Sequence, residues 1–298
     1  MDQALPLPHI RLLADRFVDW QTPFGRPDPK RCPFVTPVPA ISTHFHSPTF
    51  MAIGLYAAYT VTQEKAYKDA ADRYIVHYLA CMRNPPAGGQ RHDYPSYPYQ
   101  YGMALAGYRE FRRHNPDQAA MDGKAAALYE WLLTWRWNEG SYFRNSYGSQ
   151  KHGVIDCGNS DDNLHMGRGL VAYYELTSRP DVLKDAEGLA WYYMREAELG
   201  KYTGCWSSRL GTWVVAPTVV DTMEHFSGFR SIDIGWSFSS VGTIEYLTRL
   251  HAVTQDADLK AQIPEKCTTS MKWQFDACQF PDGACGMKGR DDRYLGTT

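Results

Sequence analysis

Residues 158–166 bring two carboxylates, two amides and an imidazole together in one short stretch. Asp161 and Asp162 are adjacent, Asn163 follows, and His165 comes about one helical turn later. Neighbouring carboxylates push their pKa values apart, as general acid/base catalysis requires. A structural role is the alternative, because the preceding serine is a favoured N-cap and acidic residues stabilise a first helical turn. We expect Asp161 to cap a helix and Asp162 to face a cleft, with Asn163 and His165 in support.

Three further segments carry similar side chains, each ahead of a predicted helix. Loops are where catalytic and binding residues concentrate, and a ring of helices would bring all four segments into one cleft. Clustered carboxylates, histidines, arginines and aromatic rings suit acid/base chemistry on a carbohydrate. We predict catalytic roles for Asp162, Asp93, His92 and His44, and substrate contacts for Asp161, Asn163, His46, Arg91, Tyr94, Tyr97, Tyr99, His165, Arg230, Asp233 and Trp236.

The sequence gives no basis for a metal or a cofactor. His44 and His46 alternate with Phe45 and share one side, yet no third ligand follows at a fixed spacing. Ser207 and Ser208 lack the glycine-rich nucleophile elbow, and the scattered cysteines have no adjacent base. We therefore predict neither a metal site, nor a cofactor, nor a covalent serine or cysteine mechanism.

The elements that must position these residues are helical hairpins. When the sequence is aligned with itself at a constant offset, identical residues of two hairpins match. These are Leu55 with Leu170, Tyr59 with Tyr174, Thr62 with Thr177, Ala71 with Ala186 and Tyr78 with Tyr193. Two more hairpins are predicted over 97–137, broken at Asn115, and over 235–275, broken near Asp256. The best strand candidate is residues 213–216, and it is short. Hairpins of roughly 40 residues imply an open solenoid or a closed α/α toroid.

Long, polar connections favour the toroid over the solenoid. We predict an all-α chain in which residues 1–43 are a helix, from 12 to 20, and a proline-rich connector, and residues 44–298 are one α/α toroid domain. Residues 280–298 have the character of another loop ahead of an inner helix, so we expect the toroid to be short or trimmed.

Composition limits the classes of partner. The chain has 298 residues, is 44% hydrophobic and carries a net charge of -2, so no basic field is available for nucleic acid. Its 20 Tyr and 9 Trp suit a sugar-binding cleft. We expect a carbohydrate partner, no membrane segment and no signal peptide. Seven scattered cysteines fit a cytoplasmic protein, or a secreted or periplasmic one if a signal peptide has been removed. The oligomeric state is not predicted.

Short motifs in these segments also resemble those of a known family. Residues 90–93 and Asp162-Asn163 resemble loops of the six-hairpin glycosidases, above all the unsaturated glucuronyl and rhamnogalacturonyl hydrolases. Gly235-Trp236 resembles the entry to a later inner helix, and Asp161-Asp162 is similar to the paired aspartates of α/α-barrel endo-mannanases. Residues 230–235 depart from the family's Trp-Ala-Arg-Gly run.

The resemblance covers residues 44–298 at the level of the fold, and it implies roles for two carboxylates. Asp162 would protonate the vinyl ether of an unsaturated uronide and activate water, with Asp93 as its partner. We expect hydrolysis of an acidic, uronate-containing saccharide. The alternatives are a uronate lyase that uses a tyrosine with His44 or His92, a sugar epimerase that uses a histidine pair, and a non-catalytic helical-repeat binding protein.

Overall fold

A computed structural model describes residues 7–23, 28, 30–31, 46–82, 98–136, 145–149, 153–157, 160–198, 203–214 and 237–278. The chain divides into two compact units, Met1–Ser96 with Gln100–Trp131, and Tyr97–Tyr99 with Leu132–Thr298. Helices form most of the described ranges, which confirms the predicted all-α class. No helix in these ranges is long and apolar enough to cross a membrane. The boundary expected at residue 43 lies outside the described residues and stays a prediction.

The first unit holds an N-terminal helix, the first hairpin and most of the second. Its helices are α1 (Leu7–Asp19), α2 (His46–Thr62), α3 (Lys65–Cys81), α4 (Pro98–His114) and α5 (Asp122–Leu133). Two tyrosines of α3 hold α1 in place: the Tyr67 hydroxyl donates to Asp15 Oδ1 at 2.8 Å, and the Tyr74 hydroxyl donates to the Phe17 carbonyl at 2.9 Å. The N-terminal helix begins before the predicted residue 12, since a proline is tolerated in a first helical turn.

Within the described ranges, the second unit contains two further helical hairpins and two short β-hairpins. Its elements are β1 (Asn145–Ser149), β2 (Gly153–Cys157), α6 (Ser160–Thr177), α7 (Pro180–Met194), β3 (Trp206–Ser207), β4 (Thr212–Trp213), α8 (Ser237–Val253), α9 (Ala257–Trp273) and a π-helical turn (Gln274–Cys278). The predicted break near Asp256 is confirmed. The Asp256 side chain caps α9 by accepting from the amides of Asp258 at 2.9 Å and Leu259 at 3.0 Å.

The internal repeat predicted from the sequence is present in detail. Both hairpins turn through a residue with positive φ, which is 59° at Gln63 and 53° at Ser178. The threonine before each turn donates its hydroxyl one helical turn back, Thr62 to Ala58 and Thr177 to Tyr173, each at 2.8 Å. The two hairpins therefore share their turn geometry as well as their apolar positions.

A second regularity links each hairpin to the next one in its unit. In each unit, an acidic side chain on the second helix of one hairpin accepts a hydrogen bond from the next hairpin. The donor is the residue directly after that hairpin's first helix. Asn115 Nδ2 donates to Asp72 Oδ1 at 2.8 Å in the first unit, and the Thr254 hydroxyl donates to Glu187 Oε1 at 2.5 Å in the second. This hydrogen bond fixes the C-terminal end of α4 and of α8, whereas the predicted site segments precede the N-terminal ends of these helices.

Two antiparallel β-hairpins correct the strand prediction. β1 pairs with β2, with Ser146 opposite Asp156, and β3 pairs with β4, with Trp206 opposite Trp213. The first hairpin was missed because its first strand is rich in Asn, Ser and Gly, which are poor strand formers without apolar alternation. The strand expected at residues 213–216 begins one residue earlier, since β4 comprises Thr212 and Trp213, and residues 215–216 lie outside the described ranges.

Candidate active site

The helix α6 is enclosed on all sides over most of its length. Residues 163–173 are all buried, which is typical of a helix in the middle of a core. Side chains of α6 that could contact a ligand therefore lie near the ends of the helix. Asp161 and Asp162 lie in its first turn, directly after Ser160, where the helix dipole favours ionised carboxylates.

Close packing against α8 holds α6 in position. A Cβ atom at Gly167 would lie 2.7 Å from Cε1 of Tyr246, and one at Gly242 would lie 2.6 Å from Cδ1 of Leu164. Each helix thus presents a glycine to a large side chain of the other. The Tyr246 hydroxyl in turn donates to the Ala186 carbonyl of α7 at 2.5 Å. The start of α6 is consequently fixed by packing on two neighbouring helices.

One contact brings the beginning of α4 to the beginning of α6. Tyr99 is the second residue of α4 and is half-buried, whereas His165 on α6 is only 6% exposed. Their ring centroids are 6.1 Å apart, with an angle of 45° between the planes. Two of the four predicted segments therefore meet at these side chains, and Asp161 and Asp162 lie within one helical turn of the contact.

Further into α6, two polar side chains are buried in the core. Asn163 is completely buried, and Arg168 is 8% exposed. The Arg168 guanidinium donates to Glu245 on α8, with Nη2 2.8 Å from Oε2. Burial lowers the pKa of Arg168, and Glu245 opposes that effect. Arg168 was not predicted from the sequence, because its partner Glu245 is 77 positions away and the pairing leaves no local signal.

Most of the other predicted side chains lie outside the residues that the structure describes. These are His44, Arg91, His92, Asp93, Tyr94, Tyr97, Arg230, Asp233 and Trp236. His46 is the first residue of α2, and Trp236 directly precedes α8. The described part of the predicted site is thus the start of α6 with Tyr99, and the convergence of all four segments stays a prediction.

Metal and thiol chemistry find no support in the described ranges. No group of three His, Cys, Asp or Glu side chains there is arranged to hold a metal ion. The described thiols of Cys205 and Cys267 are buried, and burial raises the pKa of Cys205 well above its ordinary value and that of Cys267 to about 11. Neither is a thiolate near neutral pH, so neither is a nucleophile.

Comparison of the sequence with family models and with curated proteins gives no match. Comparison of the fold with solved structures does. A GH76 α-mannanase from Bacteroides thetaiotaomicron aligns at 13% identity and a TM-score of 0.56, over 85% of this chain and 62% of that chain. The chain therefore spans less than two thirds of the length of that mannanase.

Two other solved structures give similar alignments. One is an inactive α-1,6-mannanase variant from Salegentibacter sp. HEL1_6, in which two adjacent aspartates are replaced by alanine, in complex with α-1,6-mannotetraose. It aligns at 15% identity and a TM-score of 0.59, over 82% of this chain and 68% of that chain. The other is an unsaturated glucuronyl hydrolase specific for heparin, at 13% identity and a TM-score of 0.57, over 79% of this chain and 63% of that chain. These alignments show that the chain has the α/α toroid fold of these solved structures.

Proposed function

We propose that the protein is a carbohydrate-active enzyme that hydrolyses glycosidic bonds with the carboxylates at the start of α6. The observation that carries this proposal is the placement of Asp161 and Asp162 in the first turn of a core helix, beside the Tyr99–His165 contact. The adjacent aspartates that were replaced in the inactive mannanase variant support it. Their position at a rigidly packed helix start suits catalytic groups that must be held in fixed geometry.

The reaction needs one proton donor and one partner carboxylate. Asp162 donates its proton to the glycosidic oxygen as the bond from that oxygen to the anomeric carbon breaks. The partner carboxylate either attacks the anomeric carbon, forming a glycosyl-enzyme ester that water then hydrolyses, or takes a proton from the water whose hydroxyl group ends there. Asp161 is one candidate partner, because it directly precedes Asp162 in the same first turn of α6. Asp93, in the segment that leads to α4, is the other.

An acidic saccharide is the substrate class that we favour. Arg91 and Arg230 lie in the segments before α4 and α8, and a guanidinium can pair with a uronate carboxylate through two parallel hydrogen bonds. The likeness to a glucuronyl hydrolase specific for heparin supports this choice. If the uronate is unsaturated, Asp162 protonates the vinyl ether carbon instead, and water adds to the adjacent carbon before the ring opens.

A neutral α-mannoside is the second candidate, and the aspartate pair itself favours it. The mannanase variant that binds α-1,6-mannotetraose was inactivated at two adjacent aspartates, and this chain carries adjacent aspartates at the start of α6. Recognition of a neutral sugar requires hydrogen bonds to hydroxyl groups and an aromatic face, for which half-buried Tyr99 is available. Arg91 and Arg230 would then have no role in binding.

The test measures the release of reducing ends from uronate-containing oligosaccharides and from α-1,6-mannooligosaccharides. We expect D162N to lower kcat by about 100- to 10,000-fold, the range for loss of a general acid or base. D161N and D93N identify the partner carboxylate by the same loss. D181N is the matched control, because Asp181 also lies in the first turn of a helix, on α7, and is exposed. It leaves kcat unchanged.

Three results would contradict the proposal. Turnover that survives both D161N and D162N would exclude chemistry at the start of α6. A product that absorbs in the ultraviolet as a conjugated uronate, with turnover abolished by Y99F, would identify a lyase instead. Absence of turnover with every saccharide, together with saccharide binding, would favour a non-catalytic binding protein.

A further inference from the structure

His165 occupies a special position relative to the two aspartates. It follows Asp161 by four residues and Asp162 by three, so all three lie along one side of the first turns of α6. The side chains of a helix lean toward its N-terminus, so a histidine at position 165 is placed to reach back toward the turn that carries the aspartates. The four-residue spacing, with the acid first, is the better one for a contact between opposite charges.

The surroundings of His165 restrict how its ring can move. The residue is 6% exposed, and its neighbours in sequence, Leu164 and Met166, are completely buried. The Tyr99 ring packs at 6.1 Å on one side. A ring held in this way keeps one orientation, whereas an exposed histidine samples several.

We propose that His165 is a positioning residue that donates a hydrogen bond from its imidazole to the carboxylate of Asp161. The bond fixes the Asp161 side chain and keeps that carboxylate ionised. The negative charge of Asp161 then favours the protonated form of Asp162, so that Asp162 is the group that exchanges protons with the substrate. This role rests on the proposed function for its effect on turnover, but not for the hydrogen bond itself.

The first experiment compares kinetics of H165F and H165Q with those of the wild-type enzyme on the best substrate. Phenylalanine keeps the ring packing against Tyr99 and removes the donor, whereas the glutamine amide retains a donor. We expect H165F to lower kcat by about 10- to 100-fold, which is the value of one hydrogen bond to a charged group. KM changes by no more than about twofold, and H165Q restores part of the loss.

The dependence of kcat/KM on pH separates positioning from a structural role. A carboxylate that loses a hydrogen-bond donor takes up a proton more readily, so the acid limb of the H165F profile moves to higher pH. The matched control is H114F. His114 also follows an acidic residue, Glu110, by four positions, and its ring stacks on Tyr56 with centroids 4.7 Å apart. It ends α4, whereas Tyr99 begins that helix, so H114F leaves both kcat and the acid limb unchanged.

The second experiment needs no substrate and therefore distinguishes failure of this proposal from failure of the proposed function. The imidazole 15N resonances of His165, assigned with H165Q, report whether the ring donates to a carboxylate. We expect D161N to shift them in the substrate-free protein and D162N to leave them nearly unchanged. The proposal would be overturned if D161N left the His165 resonances unchanged. It would also be overturned if the H165F enzyme kept the wild-type kcat and pH profile. If D161N shifts the resonances but the protein turns over no saccharide, the hydrogen bond is supported and the proposed enzymatic function is contradicted.

Discussion

Burial sets the protonation chemistry of individual side chains in this protein. Burial raises the pKa of the Tyr56 phenol, and the hydrogen bond that it donates to Asp72 at 2.7 Å adds to the effect. Burial raises the pKa of Tyr246 and lowers that of His114. In each case the neutral form is favoured in the folded protein. The candidate carboxylates Asp161 and Asp162 lie instead in the first turn of a helix, where the helix dipole favours the ionised form.

His114 yields a prediction about stability at acidic pH. Burial lowers its pKa below the ordinary 6.5; Glu110 opposes that effect, and Arg113 and Lys68 add to it. Below about pH 6.5 the unfolded chain takes up a proton that the folded protein resists, so stability is complete above that pH and is lost as the pH falls. We expect H114F to reduce this loss. Urea unfolding of both proteins at about pH 7.5 and about pH 5 measures it.

The same loss of stability in H114F as in wild type would show that other groups cause the acid sensitivity. H251F serves as the control, because His251 also lies in the last turn of a helix, on α8, and carries no comparable ring stack among the described residues. Its pH dependence is expected to match that of the wild-type protein.

Residue type and helical spacing selected Asp161, Asp162 and His165 from the sequence, and their roles stay predictions. They were insufficient for Arg168, because its role depends on burial inside α6 and on Glu245, which is distant in sequence. The burial of Asn163 was likewise not predictable, since the segment reads as a polar helix start. Contacts made by packing between helices have no local signature.

At the scale of elements, the fit between α6 and α8 determines where the candidate site lies. Gly167 accepts the Tyr246 ring and Gly242 accepts Leu164, so the two helices approach closely at two points. Two ion pairs join the same helices, Arg168 with Glu245 and Arg249 with Glu175, each at 2.8 Å. A change in this packing moves the helix start that carries the aspartates.

Replacement of Gly167 by alanine tests this fit. The added methyl group would meet three ring carbons of Tyr246 at 2.7–2.8 Å, and that ring is held by its hydrogen bond to Ala186. We expect G167A to lower the free energy of unfolding by about 1–3 kcal/mol, the usual cost of an overpacked core. Urea unfolding monitored by circular dichroism gives the difference.

Gly123 supplies the matched control in a helix. A Cβ atom there would meet nothing within 4 Å, and alanine has the higher helix propensity. G123A therefore leaves the free energy of unfolding unchanged or raises it by up to about 1 kcal/mol. Equal stability of G167A and G123A would mean that α6 and α8 can separate at no cost, which would contradict the close packing.

The helices were largely predictable, because the spacing of apolar residues in the sequence repeats from one hairpin to the other. The turn residues Gln63 and Ser178 occupy equivalent positions and share a positive φ. The β1–β2 hairpin was not predictable, because its stability comes from backbone pairing rather than from an apolar face. The local spacing of apolar residues therefore identified the helices, but it did not identify the β-hairpin between α5 and α6.

At the scale of the whole molecule, the sequence predicted the order of hairpins and the fold that comparison with solved structures supports. Four helical hairpins are present in the described ranges, at the positions expected. The placement of the loops could not be derived in the same way, since a loop conformation depends on contacts with several distant elements. The substrate depends on those loops, and a binding measurement on the full chain addresses it directly.

A double variant D161N/D162N should bind the substrate without converting it, because amides keep the shape of the aspartates and cannot exchange protons. A ligand that binds only the folded state stabilises it by about 2.7 kcal/mol at one hundred times its Kd. We expect uronate-containing oligosaccharides to raise the Tm of this variant, and R91Q or R230Q to reduce the shift. Added salt weakens it too, because the pairing is electrostatic. Stabilisation by α-1,6-mannooligosaccharides alone, insensitive to salt and to both arginine changes, would instead identify a neutral mannoside as the substrate.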